Sequence, residues 1–197
     1  MTEGWRADTY PGAIRAEIPR YDEVQERVVE TTRGLDVRRI LELGVGTGET
    51  TRHLLEAHPS ASLVGVDGSD DMLAAARAAL PADRVELRLA RLEEPLPDES
   101  FGLVVSVLAI HHLPGGQKAE LFERIAGALV PGGRFVLGDV VVPDRAEDAT
   151  IAVEEGFDHP ERLDDQLAWL AAAGLRSQVA WRWKDLAVVR ADAQPSG

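Results

Sequence analysis

The most constraining feature of this chain is an apolar segment that runs directly into a glycine-rich turn and then into a helical pattern. Arg39–Leu43 has the apolar character of a buried strand, and Gly44, Gly46 and Gly48 follow it. From Glu49 to Ala57 the apolar residues recur at helical spacing. A strand, a tight turn and a helix in this order are typical of the first unit of a parallel α/β sheet.

Strands and helices continue to alternate along the chain. The apolar run Phe101–Leu108 predicts a central strand that is covered on both faces. Only two residues separate the predicted strands Leu175–Trp183 and Leu186–Arg190, which permits a hairpin but not a parallel crossover. We therefore predict an α/β fold: a single-domain, Rossmann-like, doubly wound sheet of seven strands, mostly parallel with an antiparallel last strand. The other predicted elements are strands at Ser62–Val66, Val85–Leu89 and Arg134–Val140 and helices at Ser69–Leu80, Gln117–Val130 and Leu163–Ala173.

Length and charge limit the function classes. The 197 residues suit one domain, which we divide into N-terminal lid or cap helices (1–37), the sheet domain (38–190) and a flexible tail (191–197). The formal net charge of −13 disfavours nucleic acid and anionic membranes as partners. There is no apolar run of roughly 20 residues, no secretory signal pattern and no cysteine, so we expect a soluble, cytoplasmic protein and assign no metal ligands.

The glycine turn and the acidic residue after the second strand together predict a nucleoside-containing ligand. Glycines let the backbone approach a ligand closely, and Asp67 can accept hydrogen bonds from ribose hydroxyls. The spacing is G-x-G-x-G, whereas a dinucleotide-binding turn has G-x-G-x-x-G and holds a diphosphate. Glu49 follows the last glycine, and a carboxylate there suits a cation better than a diphosphate. A tight turn without a ligand is the alternative.

The sequence from Glu42 to Gly48, Glu-Leu-Gly-Val-Gly-Thr-Gly, resembles the first motif of the class I S-adenosylmethionine-dependent methyltransferases. Residues 66–73, 95–101, 110–113 and 129–133 resemble later motifs of that family in the same order. The resemblance covers roughly residues 38–140 and implies S-adenosylmethionine as the cofactor, with S-adenosylhomocysteine as the product.

The resemblance also implies which residues bind the cofactor. Asp67 would hold the ribose, Met72 would cover the adenine, and the backbone near Val107 would meet the amino group. Arg91 stands where the family usually has an acidic residue. The full implied set is Glu42, Gly44, Gly46, Gly48, Asp67, Met72, Arg91, Leu92 and Val107.

Methyl transfer requires alignment of an attacking atom with the methyl group and, for some acceptors, removal of a proton. His111 and His112 follow the fourth strand at its carboxyl end, where open α/β sheets place their ligands. They are the candidate general bases, with His112 favoured, although a hydrogen bond to the backbone explains His112 equally well. The candidate acceptor-binding residues are Tyr10, Asp139, Trp181 and Trp183; packing against the last helix is the competing explanation for the two tryptophans.

The segment Val141–Arg162 leaves room for only a small cap over the site. We therefore expect a small-molecule methyl acceptor with an attacking N or O, or C, atom, and leave a homodimer open. One alternative is a carboxy-S-adenosylmethionine synthase, to which Tyr10–Asp22 is faintly similar and which would use Arg15 or Arg91 to bind a carboxylate. Others are a non-catalytic binding module of the same fold and, more distantly, a dinucleotide enzyme.

Overall fold

The computed structural model describes residues 6–195. Within this range, apolar strands alternate with amphipathic helices. In chain order the elements are α1 Tyr10–Glu17, α2 Tyr21–Thr32, β1 Arg39–Leu43, α3 Glu49–Ala57, β2 Ser62–Asp67, α4 Asp70–Ala79, β3 Val85–Leu89, β4 Phe101–Val107, α5 Gly115–Ala128, β5 Leu129–Val142, β6 Glu161–Arg162, α6 Leu163–Ala172, β7 Arg176–Trp183 and β8 Leu186–Asp192.

The strands form one twisted sheet in the order β3-β2-β1-β4-β5-β8-β7. Strand β8 is antiparallel to both of its neighbours, and the other pairs are parallel. The predicted fold class is thus confirmed, including the antiparallel last strand, which forms the second half of the final hairpin. The two-residue β6 pairs with the end of β5 and was not predicted, because so short a segment carries no periodicity.

Helices cover both faces of the sheet because successive strand residues point to opposite sides. Ile40 packs in the layer that contains α1, α2 and α3, whereas its neighbour Leu41 packs in the layer that contains α5 and α6. In β4, Val104 and Val105 divide in the same way, and both are fully buried. This double coverage explains the unbroken apolar run of the central strand.

Several element boundaries differ from the prediction. Helix α5 begins at Gly115 and ends at Ala128, and β5 then begins at Leu129 and runs through Pro131–Gly133, which we had interpreted as the break between them. The expected tail is wrong for its first two residues: Ala191 and Asp192 belong to β8, where they pair with Phe135 and Arg134. The guanidinium of Arg134 also donates to the Asp192 carboxylate at 2.7 Å, which holds the strand end in place.

The expected lid region contains α1 and α2, while residues 1–5 and 196–197 lie outside the described residues. Within residues 6–195, none of the helices has the length and apolar character to span a bilayer.

Candidate active site

The turn between β1 and α3 requires glycine at Gly44 for two reasons. Its φ of +77° lies in the left-handed region, and a Cβ added there would lie 2.4 Å from the Ala109 Cβ. Gly46 and Gly48 also have positive φ, at +54° and +88°. The contact with Ala109 brings the turn against the segment that follows β4.

Asp67, at the carboxyl end of β2, ties this turn to the start of α4. One carboxylate oxygen accepts from the Gly46 amide at 2.8 Å, and the other accepts from the Ser69 amide at 2.9 Å. Ser69 in turn caps α4 by accepting from the Met72 amide at 3.3 Å. Asp67 is partly exposed, so its remaining lone pairs can accept hydrogen bonds from a ligand.

A small, open cleft lies above the glycine turn. The ring of Tyr10 lies over it, 3.7 Å from the Cβ position of Gly46. Burial, together with the charges of Asp67 and Glu49, raises the pKa of Tyr10 to about 12, so its hydroxyl stays protonated at neutral pH. The cleft is lined by Tyr10, Tyr21, Gln25, Gly44, Val45, Gly46, Thr47, Glu49, Thr50, Val107 and Leu108.

Side chains of α1 and α2 bind the start of α3 beside this cleft. The Tyr21 hydroxyl donates to Glu49 at 3.2 Å, and the Arg15 guanidinium pairs with the same carboxylate. Gln25 donates to the Tyr21 hydroxyl at 3.0 Å and accepts from the Thr50 hydroxyl at 2.9 Å. Gln25 and Thr50 were not predicted from the sequence, since neither belongs to a recognisable motif.

Glu42 lies behind the turn and is not among the cleft-lining residues. Its side chain is 1% exposed and accepts from the Thr51 hydroxyl at 2.5 Å. Burial raises the pKa of Glu42 to about 8. The hydrogen bond from Thr51 lowers this pKa, and the charge of Asp67 raises it by a smaller amount. The carboxyl group is therefore largely neutral at pH 7.

The residues implied for adenine binding are not among those that line the cleft. Met72 is buried on α4, and Leu92 is partly buried against the core. The Arg91 side chain lies beside Gly68, with its Cγ 3.9 Å from the Gly68 Cβ position, and its exposed guanidinium pairs with Glu93 at 3.2 Å.

His111 lies in a 3₁₀ turn, Ile110–His112, and both its amide and its ring are held by Asp139. The amide donates to one carboxylate oxygen at 2.9 Å, and Nδ1 lies 2.5 Å from the other. Asp139 is 2% exposed and also accepts from the Val140 amide, so it positions His111 and does not offer a free carboxylate to an acceptor. Burial lowers the pKa of His111, but the charge of Asp139, its hydrogen bond to the ring and the charge of Asp158 together outweigh burial, and the pKa is raised.

His112, the favoured base, faces Asp158 instead. Its Nδ1 lies 2.9 Å from an Asp158 carboxylate oxygen but is not aligned for a hydrogen bond. Its ring packs between His111 and Phe157, with centroid distances of 4.0 and 4.5 Å. Burial, and secondly the neighbouring His111, lower the pKa of His112. The sequence analysis missed Asp158, which lies in an irregular loop without periodicity.

Asp158 belongs to residues 143–160, which we name the cap segment. The Asp185 carboxylate, at the tip of the β7–β8 hairpin, accepts from the Thr150 hydroxyl at 2.7 Å. The His159 amide donates to the His111 carbonyl at 2.7 Å, and the Lys118 ammonium donates to the His159 carbonyl. The cap segment is thus fixed both at the hairpin and at the histidines.

Trp181 and Trp183 lie on β7, at the edge of the sheet. Both are partly buried against the core layer that contains α1, α2 and α3. The Arg20 guanidinium lies over the Trp183 ring, 4.8 Å from its centroid. Packing therefore explains the burial of both tryptophans. They pack on the α2 side of the sheet, whereas the competing explanation from the sequence was packing against the last helix, α6.

Comparisons with known proteins agree with this geometry. Residues 40–133 match the family model described as a methyltransferase domain. The chain is 31% identical over 158 residues to an uncharacterized methyltransferase of Geobacillus kaustophilus, covering 79% of this chain and 72% of the relative. It is also 36% identical over 141 residues to a trans-aconitate 2-methyltransferase of Variovorax paradoxus, covering 68% and 52% of the two chains.

Solved structures show the same fold. An amino pentose methyltransferase from Micromonospora echinaspora, with S-adenosylmethionine bound, superposes with a TM-score of 0.75 at 20% identity, covering 98% of this chain and 100% of that one. The complex of DhpI with S-adenosylhomocysteine gives 0.73 at 24% identity, covering 96% and 94%. The family match, the identity to the Geobacillus relative and the strand order agree, and the chain belongs to the class I S-adenosylmethionine-dependent methyltransferases.

Proposed function

We propose that this enzyme transfers a methyl group from S-adenosylmethionine to an N or O atom of a small metabolite that binds beside His111 and His112. The observation that carries this proposal is the contact of Gly44 with Ala109, 2.4 Å from the Gly44 Cβ position to the Ala109 Cβ. Ala109 immediately precedes the turn that carries the histidines. A cofactor over the glycine turn and an acceptor at the histidines would therefore be neighbours.

For the cofactor, we propose that the methionine part lies in the cleft against Gly44, Gly46 and Val107. Asp67 would accept from the ribose, since its carboxylate is partly exposed at the edge of the turn. Adenine would lie beyond Asp67, near Met72, with Leu92 and Arg91 as further candidates. Helices α1 and α2 would form a lid, because Tyr10 already covers Gly46.

For the acceptor, the charges near the histidines favour an amine or a hydroxyl over a carboxylate. Asp139 and Asp158 flank His111, and Lys118 is buried with its ammonium bound to the His159 carbonyl. The negative charges of these two carboxylates would disfavour an anionic acceptor there. The relative that methylates trans-aconitate supports a carboxylate acceptor as the second candidate.

The carboxy-S-adenosylmethionine synthase alternative loses support because both of its candidate arginines are paired. Arg15 binds Glu49 and Asp22, and Arg91 binds Glu93. A non-catalytic module of the same fold would keep the cofactor and lack turnover.

Calorimetric titration with S-adenosylmethionine and S-adenosylhomocysteine, with NAD as the control ligand, tests the cofactor step. We expect binding of the first two and not of NAD. Acceptor pools of amines, alcohols and carboxylates are then compared by release of S-adenosylhomocysteine. Turnover with carboxylates alone would reverse our choice of acceptor class, and cofactor binding without turnover in any pool would favour the non-catalytic module.

A further inference from the structure

Three side chains converge where the cap segment meets the histidine turn. One ligand atom from each of His111, His112 and Asp158 lies within 4.8 Å of those of the other two. The side chains are only 11%, 31% and 16% exposed. Two imidazoles and a carboxylate are a donor set that transition-metal ions of the zinc type accept.

The hydrogen bonds around the cluster fix where one proton lies. Nδ1 of His111 is 2.5 Å from an Asp139 oxygen, and an ionised carboxylate only accepts, so Nδ1 carries the proton. In the neutral ring, Nε2 then presents its lone pair towards Asp158, whose oxygen is 3.8 Å away. Nε2 of His111 is therefore available as a ligand atom.

His112 supplies a second nitrogen without a hydrogen-bond partner. Its Nδ1 is buried and makes no hydrogen bond, although it lies 2.9 Å from the same Asp158 oxygen. Lone pairs of two imidazoles and a carboxylate that face one another repel. This repulsion is relieved either by a metal ion or by a proton on one of the ring nitrogens, including the Nδ1–H tautomer of neutral His112.

We propose that His111, His112 and Asp158 bind one divalent transition-metal ion, with zinc as the reference case. Zn–N bonds of about 2.0–2.1 Å place tetrahedral ligand atoms about 3.3 Å apart. The two ring nitrogens lie 2.9 and 3.8 Å from the Asp158 oxygen, on either side of that value. Small movements of the cap segment, which carries Asp158, complete the site.

Asp139 supports the site as a positioning residue. Histidines that bind metals commonly donate their other ring N–H to a carboxylate, and Asp139 occupies that position for His111. Three protein ligands leave a fourth position open for water or for an acceptor atom. The bound ion also joins the cap segment to the histidine turn. Metal binding goes beyond the proposed function and is measured without any methyl transfer.

The test uses the full chain without a histidine tag, stripped of metal by a chelator that is then removed. Titration with Co²⁺ is followed by visible absorption, and Zn²⁺ is then added to displace the Co²⁺. We expect one equivalent per chain and the intense d–d bands of four-coordinate cobalt. Millimolar Mg²⁺ is expected not to compete, because it prefers oxygen ligands.

Variants separate this site from adventitious binding. Asp158→Asn and His112→Gln should each weaken binding at least about tenfold, and Asp139→Asn by about 10- to 100-fold. Asp148→Asn is the matched control, since Asp148 lies in the same cap segment but pairs with Arg145. Circular dichroism and thermal unfolding verify that each variant is folded.

Two results would overturn the proposal. The first is an absence of stoichiometric Co²⁺ or Zn²⁺ binding by the unmodified chain. This result would mean that a proton on one of the rings, and not a metal ion, lies between the side chains. The second is binding that Asp158→Asn and Asp148→Asn leave equally unchanged, which would place the ion elsewhere.

Discussion

Asp67 has a structural role in addition to its proposed role in ribose binding. Its two oxygens already accept from the Gly46 and Ser69 amides at 2.8 and 2.9 Å. Asp67→Ala should therefore reduce both cofactor affinity and the stability of the turn. We expect a loss of about 1–3 kcal/mol in binding free energy, or roughly 5- to 150-fold, and of about 1–3 kcal/mol in unfolding free energy.

Calorimetry with S-adenosylhomocysteine and denaturant unfolding measure the two effects separately. Asp70→Ala is the control, because Asp70 is exposed in the first turn of α4. An unchanged affinity in a folded Asp67→Ala protein would exclude the ribose assignment.

A side chain at position 44 would face both a strained backbone conformation and a steric clash. Gly132 makes a matched comparison, since its φ is +75° against +77° for Gly44, but a Cβ there meets nothing within 4 Å. Gly132→Ala should cost about 1–2 kcal/mol of unfolding free energy for the left-handed backbone alone. Gly44→Ala should cost about 1–3 kcal/mol more, because its Cβ overlaps Ala109. Denaturant unfolding of both variants measures the difference, and equal losses would contradict the close contact.

Glu42 should make stability fall as pH rises. Its pKa is about 8 in the folded protein, against 4.5 as the ordinary value, so between these values only the unfolded chain ionises this group. The stabilising contribution is complete below pH 4.5 and is lost as pH rises to about 8, at up to about 1.4 kcal/mol per pH unit. Unfolding free energies at pH 5, 6, 7 and 8 should decline less steeply for Glu42→Gln than for the unmodified chain; parallel curves would exclude this contribution.

At the scale of elements, α1 and α2 have the geometry of a lid over the cleft. Arg15 and Tyr21 bind Glu49, and Tyr10 covers Gly46. A lid in this position must open before the cofactor enters or leaves. Loss of the Arg15 pairs should therefore increase both the association and the dissociation rates of the cofactor.

Arg15→Ala tests this by stopped-flow fluorescence with S-adenosylhomocysteine. We expect each rate to rise about two- to fivefold, the scale of an exposed ion pair. Arg27→Ala is the control, since Arg27 pairs within α2, with Glu23 and Glu30. Equal rates in the two variants would mean that the ion pair does not control access.

The elements that sequence predicted well are those whose pattern is local. Buried strands such as β4 are recognisable as apolar runs, and Gly44 and Asp67 each belong to a short motif. The start of β5 at Leu129 was missed because the following Pro131–Gly133 has the composition of a turn, whereas pairing of Leu129 with Phe101 draws it into the sheet. The position of the Asp158 side chain depends on how a long irregular loop folds back over the histidines. No local sequence pattern encodes that fold.

For the whole molecule, the net charge of −13 should influence how the cofactor arrives. S-adenosylmethionine carries a sulfonium charge that S-adenosylhomocysteine lacks, so the average field attracts the substrate form more strongly. Raising the ionic strength from about 0.01 to 0.15 M shortens the screening length from about 30 to 8 Å. The association rate of S-adenosylmethionine should therefore fall several-fold over this range.

The product form provides the matched control, because both ligands present the same adenosine and amino acid groups to the cleft. If the global field steers binding, salt should slow S-adenosylmethionine association more than S-adenosylhomocysteine association and leave the dissociation rates similar. Equal salt dependence of the two association rates in stopped-flow measurements would mean that local groups such as Glu49 set the attraction. A stronger effect on S-adenosylmethionine would extend the argument to the acceptor, since the same field favours neutral or cationic metabolites over anionic ones.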